Sequence, residues 1–372
     1  MTSFQNPFTA SFGVPSAATY VGREEELAQF RQGLDDRPGS INRAILISGP
    51  RGVGKTSLQV EMLGRAKQAG WVTSAVTAGP GLAERILDKA TLAAEHLLPP
   101  EPKRLLTGIS VAGFGLTSDA VPATSPSWWR RISRLLDVLE EHGTGLVIAI
   151  DEVHREEAEL RPLFQQYQEL VNERRNVAIV LAGLPDATEG LLTEYALTFV
   201  QRARRMVLGR IPLPQLTETY LAAIQSEGKG IDAVTAMHAA RESEGFPYLF
   251  QLVGYFSWQL ASAEPKVTSA NVDAAIPLAT ELAGQNLYEL EMRGLTSRER
   301  EFLTALLADG EPSQVSAIAQ RLKTSTNNVN YYRARLIARG LVEPAGRGRL
   351  RLASGFLRRY LAEHLMDGNL LN

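Results

Sequence analysis

Cysteine is absent from the 372-residue chain, which excludes disulfides and thiolate-held metal centres. Histidine is scarce as well: the five copies show no paired metal spacing, and His154 reads as a helix-start residue rather than a ligand. No apolar run approaches the ~18 residues of a membrane span, and the N-terminus has no basic then apolar signal segment. These absences lead us to expect a cytoplasmic protein with no membrane partner. Neither sign of charge dominates, since the net charge is −2, a balance that argues against a nucleic-acid coat protein. With 44 % hydrophobic and 22 % charged residues, the chain can bury large cores and should form two or three domains.

What is present begins with Gly49-Pro50-Arg51-Gly52-Val53-Gly54-Lys55-Thr56, followed by Ser57. It lies between the apolar run Ala44 to Ser48 and a helical pattern that opens at Lys55. This spacing is that of a phosphate-binding loop. Glycines let the backbone turn so that successive N–H groups face phosphate oxygens, Lys55 reaches the β and γ phosphates, and the Thr56 hydroxyl holds Mg²⁺. The following helix adds the positive end of its dipole.

A second motif lies downstream. Gly145-Leu146-Val147-Ile148-Ala149-Ile150-Asp151-Glu152 is an apolar run ending in two acids, the pattern of a buried parallel strand that delivers carboxylates at its C-terminal edge. Ligands of open α/β sheets bind at that edge. Asp151 would take Mg²⁺ through water, and Glu152 would polarise the water that attacks the γ-phosphate. The alternative for the pair alone is a solvated helix start leading into Glu156, Glu157 and Glu159. Together the two motifs imply an enzyme that binds ATP or ADP with Mg²⁺ and hydrolyses ATP.

Alternating strand and helix patterns predict a doubly wound parallel sheet. Strands are expected near 43–48, 71–77, 145–150 and 176–182, with helices at 55–69, 80–97, 127–142 and 156–174. Residues 1–19, with Phe4, Phe8 and Phe12 among Ser, Thr, Pro and Gly, suggest an arm laid over a domain surface. The proline- and glycine-rich stretch 99–126 suggests a hairpin on a mobile insertion, or disorder. From Leu213 the pattern is helical, at 215–226, 232–243, 247–263 and 269–290, as for a lid over a nucleotide. Gly245-Phe246-Pro247 ends one of these helices and starts the next.

Tyr20-Val21-Gly22-Arg23-x-Glu25, the loop Gly49 to Thr56, Ile150-Asp151-Glu152 and Gly245-Phe246-Pro247 together resemble the AAA+/STAND class of P-loop ATPases, particularly the origin-recognition type. The likeness runs over roughly 18–290. It implies that Val21, Gly22 and Arg23 contact the adenine or ribose and that Pro247 brings the lid to the nucleotide. Two features depart from the class. After Val177 to Ala182 the chain continues Gly183-Leu184-Pro185-Asp186, with no Asn, Ser or Thr to sense the γ-phosphate, and no arginine follows early in the helix from Pro247. Low intrinsic turnover is therefore expected. Leu181-Ala182-Gly183-Leu184-Pro185 with Phe199-Val200-Gln201-Arg202 is similar instead to ATPases that assist transposition and secretion. That makes Arg202 the candidate arginine finger, with Arg204 and Arg205 as rivals, acting within a homo-oligomer; solvated surface charge is the alternative.

The last part of the chain reads helix, helix, turn, helix, then a ribbon around Gly348, which looks like a winged helix-turn-helix. From Leu295 onward there are 12 Lys and Arg against 7 Asp and Glu, so basic charge collects where DNA phosphates would need it. Asn327, Asn328, Asn330, Tyr331 and Arg333 lie early in the third helix, and their types suit base edges. Arg347, Arg349 and Arg351 alternate on the ribbon and would share one face. The expected architecture is thus α/β: arm 1–19, P-loop ATPase domain 20–212, all-α lid 213–292 and winged helix-turn-helix 293–372. The expected function is an ATP-controlled switch that binds double-stranded DNA. The alternative is a STAND-like signalling ATPase whose winged helix binds an unidentified protein partner.

Overall fold

A computed structural model describes residues 5–10, 17–98, 126–154, 158–193, 198–308 and 312–366. The expected hairpin within 99–125, Phe4, Phe12, Glu156 and Glu157 lie outside them. The chain divides into two compact units, one of residues 23–48 and 55–207, the other of 1–22, 49–54 and 208–372.

In the first unit the elements run α1 (Glu24–Asp35), β1 (Ala44–Ser48), α2 (Lys55–Gln68), β2 (Val72–Thr77), α3 (Leu82–Ala93), α4 (Pro126–Glu141), β3 (Leu146–Asp151), α5 (Leu160–Asn172), β4 (Val177–Gly183), α6 (Pro185–Thr193), α7 (Thr198–Arg202) and β5 (Arg204–Val207). All strand pairings are parallel, in the order β2-β3-β4-β1-β5. The apolar runs behave as sequence patterning requires: every residue of β4 is buried, as are the five of β3 before Asp151. Helix residues Ile86, Leu135, Leu136, Leu163 and Phe164 close one cluster with Leu46, Ile148, Ile150 and Leu181. Buried Gln59 on α2 donates to Ile150 O and Val180 O, both at 3.1 Å, tying the helix to two central strands. The fifth strand was not expected. Its four residues include two arginines and only Met206 is buried, so an edge strand carrying charge gives no apolar alternation to read.

The second unit holds α8 (Leu213–Ser226), α9 (Ala233–Glu242), α10 (Pro247–Leu260), α11 (Ser269–Ala283), a π turn (Gly284–Tyr288), α12 (Glu289–Arg293), α13 (Ser297–Ala308), β6 (Ser313–Gln314), α14 (Val315–Arg321), α15 (Thr326–Ala338), β7 (Val342–Pro344), β8 (Arg349–Leu352) and α16 (Gly355–Met366). The three strands form an antiparallel sheet, β6-β8-β7. One buried cluster runs from Tyr220 and Phe250 through Leu287 and Met292 to Phe302, Leu336, Leu352 and Phe356. Segments 213–292 and 293–366 thus share a core.

Two expectations change here. The single helix expected over 269–290 breaks at the π turn, where Gly284 lies against Tyr360 so closely that a Cβ would come within 2.5 Å of the ring. The arm does not lie on a surface at Phe8, which is 3 % exposed. Its ring centroid is 5.4 Å from Tyr220 and 5.6 Å from Phe250, and Gly254 leaves the room, since a Cβ there would sit 2.5 Å from the Phe8 ring.

Candidate nucleotide-binding site

Loop 49–56 passes from one unit to the other between Gly54 and Lys55, so each side is described within its own unit. In the first unit, α2 opens at Lys55, which is half-buried, and Thr56 follows. The Thr56 Oγ1 donates to Asp151 Oδ2 at 2.6 Å. Asp151 ends β3, and its Oδ1 accepts the Glu152 amide at 2.8 Å. Glu152 is exposed and holds φ +54°, a left-handed backbone that a non-glycine residue adopts at a cost. A hydroxyl and a carboxylate in contact are hard oxygen donors, and this set fits Mg²⁺, which takes few protein ligands and completes its octahedron with water and phosphate oxygens. Among the described residues no group of three or more His, Asp or Glu could hold a metal by itself. Ser57 is half-buried on α2. Arg23, also at φ +73°, precedes α1 and lies 3.7 Å from Glu26.

In the second unit, Gly52 and Gly54 take φ +76° and +93°, conformations open to glycine at little cost. Val53 is buried, and a Cβ at Gly49 would meet its side chain at 2.8 Å, so Gly49 is also sterically required. Val21 is buried and Gly22 packs on Ile211 and Gln215. Pro247 approaches Gly54, where a Cβ would meet its ring at 3.4 Å, and the Tyr248 amide donates to Gly52 O at 3.2 Å. The Gly245-Phe246-Pro247 turn is therefore seated on the loop. Gly245 holds φ +81° directly against Arg210 and Ile211.

Sequence reasoning missed several partners. Arg51 Nε donates to Glu291 Oε1 at 2.5 Å, and Gly340 faces Pro50. Arg210 binds Glu343 Oε1 at 2.9 Å and Ala353 O at 2.7 Å, and stacks on Phe246. These pairs are remote in sequence and carry no spacing pattern; only the glycine of Gly340 hinted at a turn.

The candidate arginine finger, Arg202, ends α7 and is exposed. Among the described residues no hydrogen bond or ion pair joins it to Thr56, Asp151 or Glu152. Of its rivals, Arg204 lies on β5 and reaches Gln29 at 3.3 Å, while Arg205 is exposed on the same strand.

Asn327, Asn328, Asn330 and Tyr331 are exposed on α15, and Arg333 is half-buried. Ser325 caps this helix by accepting the Asn328 amide, and the Asn328 side chain donates to Thr324 Oγ1 at 3.0 Å. Arg335 donates to the Tyr331 hydroxyl at 3.1 Å and pairs with fully buried Glu299 at 2.7 Å. Burial pushes the Glu299 carboxyl up, but hydrogen bonds from the Thr296 amide and hydroxyl, with the charges of Arg335 and Arg339, outweigh it and hold Glu299 below the usual range. On β8, Arg349 and Arg351 face out while Leu350 and Leu352 face in. Arg347 differs from the expected alternation: it sits in the turn before the strand. Arg351 is already paired with Glu343 on β7.

Residues 19–180 match a family model described as an AAA ATPase domain. Residues 285–361 match one described as a domain of unknown function (DUF8462). No curated protein matches the sequence. Among solved structures, the chain is similar to a Walker-type ATPase of Pyrococcus abyssi, with 17 % identity, a TM-score of 0.62, and coverage of 92 % of this chain and 96 % of that one. It is also similar to the ORC2 protein of Aeropyrum pernix, solved in ADPNP and ADP complexes, with 14 % identity, a TM-score of 0.63, and coverage of 95 % and 98 %. At such identities the likeness is one of fold. Residues 19–180 are an AAA ATPase domain, carried on the P-loop NTPase fold shared with Walker-type and origin-recognition-type ATPases.

Proposed function

We propose that this chain is an AAA+/STAND-type switch that binds ATP with Mg²⁺, hydrolyses it slowly, and binds duplex DNA through a winged helix-turn-helix at 293–372, joined by a lid at 213–292 to an ATPase domain at 20–212. The observation that carries the nucleotide part is the bond between Thr56 and Asp151, which sets the loop hydroxyl beside the acid at the end of a central parallel strand. Loop amides and Lys55 cradle the phosphates, Val21, Gly22 and Arg23 take the base or sugar, and Glu152 orients the attacking water. Thr56 and Asp151 would hold Mg²⁺, which would supply charge neutralisation for bound phosphates. Arg202 of a neighbouring copy completes the site, so turnover rises with assembly. The DNA part is supported by the exposed Asn327, Asn328, Asn330 and Tyr331 on one helix and by the exposed Arg347 and Arg349. The pairing of Arg351 with Glu343 lowers the charge available on the ribbon and favours the second reading, a signalling ATPase whose C-terminal module binds protein.

Binding of the purified chain to duplex DNA at two salt concentrations, with no nucleotide, ADP or a non-hydrolysable ATP analogue, separates the two. Salt-sensitive binding that strengthens with the analogue and is lost in Arg349→Glu is the result expected for DNA. Absence of binding in every nucleotide state, with nucleotide affinity intact, overturns the DNA reading and leaves the protein-binding one, whose partner is then sought.

A further inference from the structure

Two residues of the candidate phosphate loop, Pro50 and Arg51, make contacts that phosphate binding does not explain. Residues 49–54 belong to the same compact unit as 208–372, and two elements of the C-terminal segment reach them. From α12, Glu291 takes the Arg51 guanidinium at 2.5 Å, and its side chain is only 12 % exposed. From the end of α15, Gly340 at φ +72° comes so near that a Cβ would lie 2.7 Å from Pro50 Cβ. A small cavity beside these contacts is lined by Arg51, Tyr248, Tyr288, Glu291 and Arg339. Both contacts fall inside 285–361, the match to the domain of unknown function.

An arginine in a phosphate loop is a cation placed for an anion, yet here its charge is directed to a carboxylate on another element. The loop therefore meets Glu291 through Arg51 and Gly340 through Pro50. Packed contacts of this kind do not stretch; they hold one arrangement or give way to another. Gly340 also lies just past the Arg339 C-cap of α15, the helix with the exposed Asn327, Asn328 and Asn330.

We propose that Glu291 and Gly340 make the C-terminal segment a direct reader of the phosphate loop, with Glu291 a positioning residue that couples nucleotide occupancy to the seating of α12 and α15. This rests on the reading of 49–56 as a nucleotide site. Coupling is reciprocal, so whatever loosens the Glu291–Arg51 pair must also change nucleotide affinity.

The test uses the full chain and ADP with Mg²⁺ as the probe, in the wild type, Glu291→Gln, Arg51→Gln and the double variant. ADP affinity and amide hydrogen exchange at 289–293 and 339–341, with and without ADP, are the readouts. The expected result is an ADP-dependent change of exchange in the wild type that Glu291→Gln removes, together with an affinity shift on the order of three- to fivefold. Adding Glu291→Gln to Arg51→Gln should shift affinity no further. Wild-type affinity and exchange response in Glu291→Gln, or an equal shift in both backgrounds, overturns the inference while leaving the nucleotide site standing. A wild-type chain that binds no ADP overturns both. Should Glu291→Gln not fold, Arg51→Gln tests the pair from the loop side: an unchanged exchange response at 289–293 refutes it.

Discussion

Glu152, like Arg23, is a non-glycine residue of the candidate site that holds a left-handed backbone. Its amide is tied to Asp151 and its φ of +54° turns the chain away from β3, which sets the carboxylate apart from the one that binds Thr56. If it orients water, Glu152→Gln keeps ATP and slows phosphate release by about 100-fold or more; ordinary turnover in a steady-state phosphate assay would place the base elsewhere. Glu299 shows the opposite use of an acid, as an anchor. It accepts from Thr296 and pairs with Arg335 while fully buried. Its folded pKa lies below the ordinary value of 4.5, so its stabilisation is present above that pH and is lost as pH falls through the folded value. Glu299→Gln should cost about 2 kcal/mol at neutral pH and make that cost shrink toward acid. Urea melts at pH 7 and pH 4 check this, and an equal penalty at both pH values would refute it.

At the scale of elements, the turn before α10 is where the helical segment from Leu213 meets the loop, through Pro247 at Gly54 and Tyr248 at Gly52. Gly245 is confined by φ and by neighbours, since a Cβ would lie 2.6 Å from Arg210 Cβ. Gly245→Ala should therefore cost about 1–3 kcal/mol and weaken ADP affinity by moving Pro247 and Tyr248 off Gly52 and Gly54. A titration showing wild-type affinity in a destabilised Gly245→Ala would separate the turn from the site. The elements themselves were legible where the local pattern is strong: β1, β3 and β4 from their apolar runs, and α10 from the proline at its start. Among the exceptions were the helices α6, α7 and α16, which were not expected, β5, whose Arg204 and Arg205 hide a strand, and the helix over 269–290, where Gly284 in a π turn lies against Tyr360. That neighbour is not visible from local sequence.

For the molecule as a whole, ligand binding should appear as stability. ATP with Mg²⁺ at about a hundred times its Kd adds ~2.7 kcal/mol to the transition of the part that binds it; Lys55→Ala should show no such rise by calorimetry. A rise of equal size in Lys55→Ala would mean that nucleotide binds away from the loop. The sequence by itself determined the patterns that depend on contiguous residues: glycines 49, 52 and 54 in the spacing of a phosphate-binding loop, Lys55 and Thr56 at the start of a helix, and two acids at the end of an apolar strand. Those patterns are local, and local sterics and burial dictate them. Only the tertiary structure decided what meets across the chain. It set Thr56 beside Asp151, buried Phe8 between Tyr220 and Phe250, paired Arg51 with Glu291, and fixed Arg351 on Glu343. Such partners are chosen by packing, which has no period in sequence and exists only once the chain has folded.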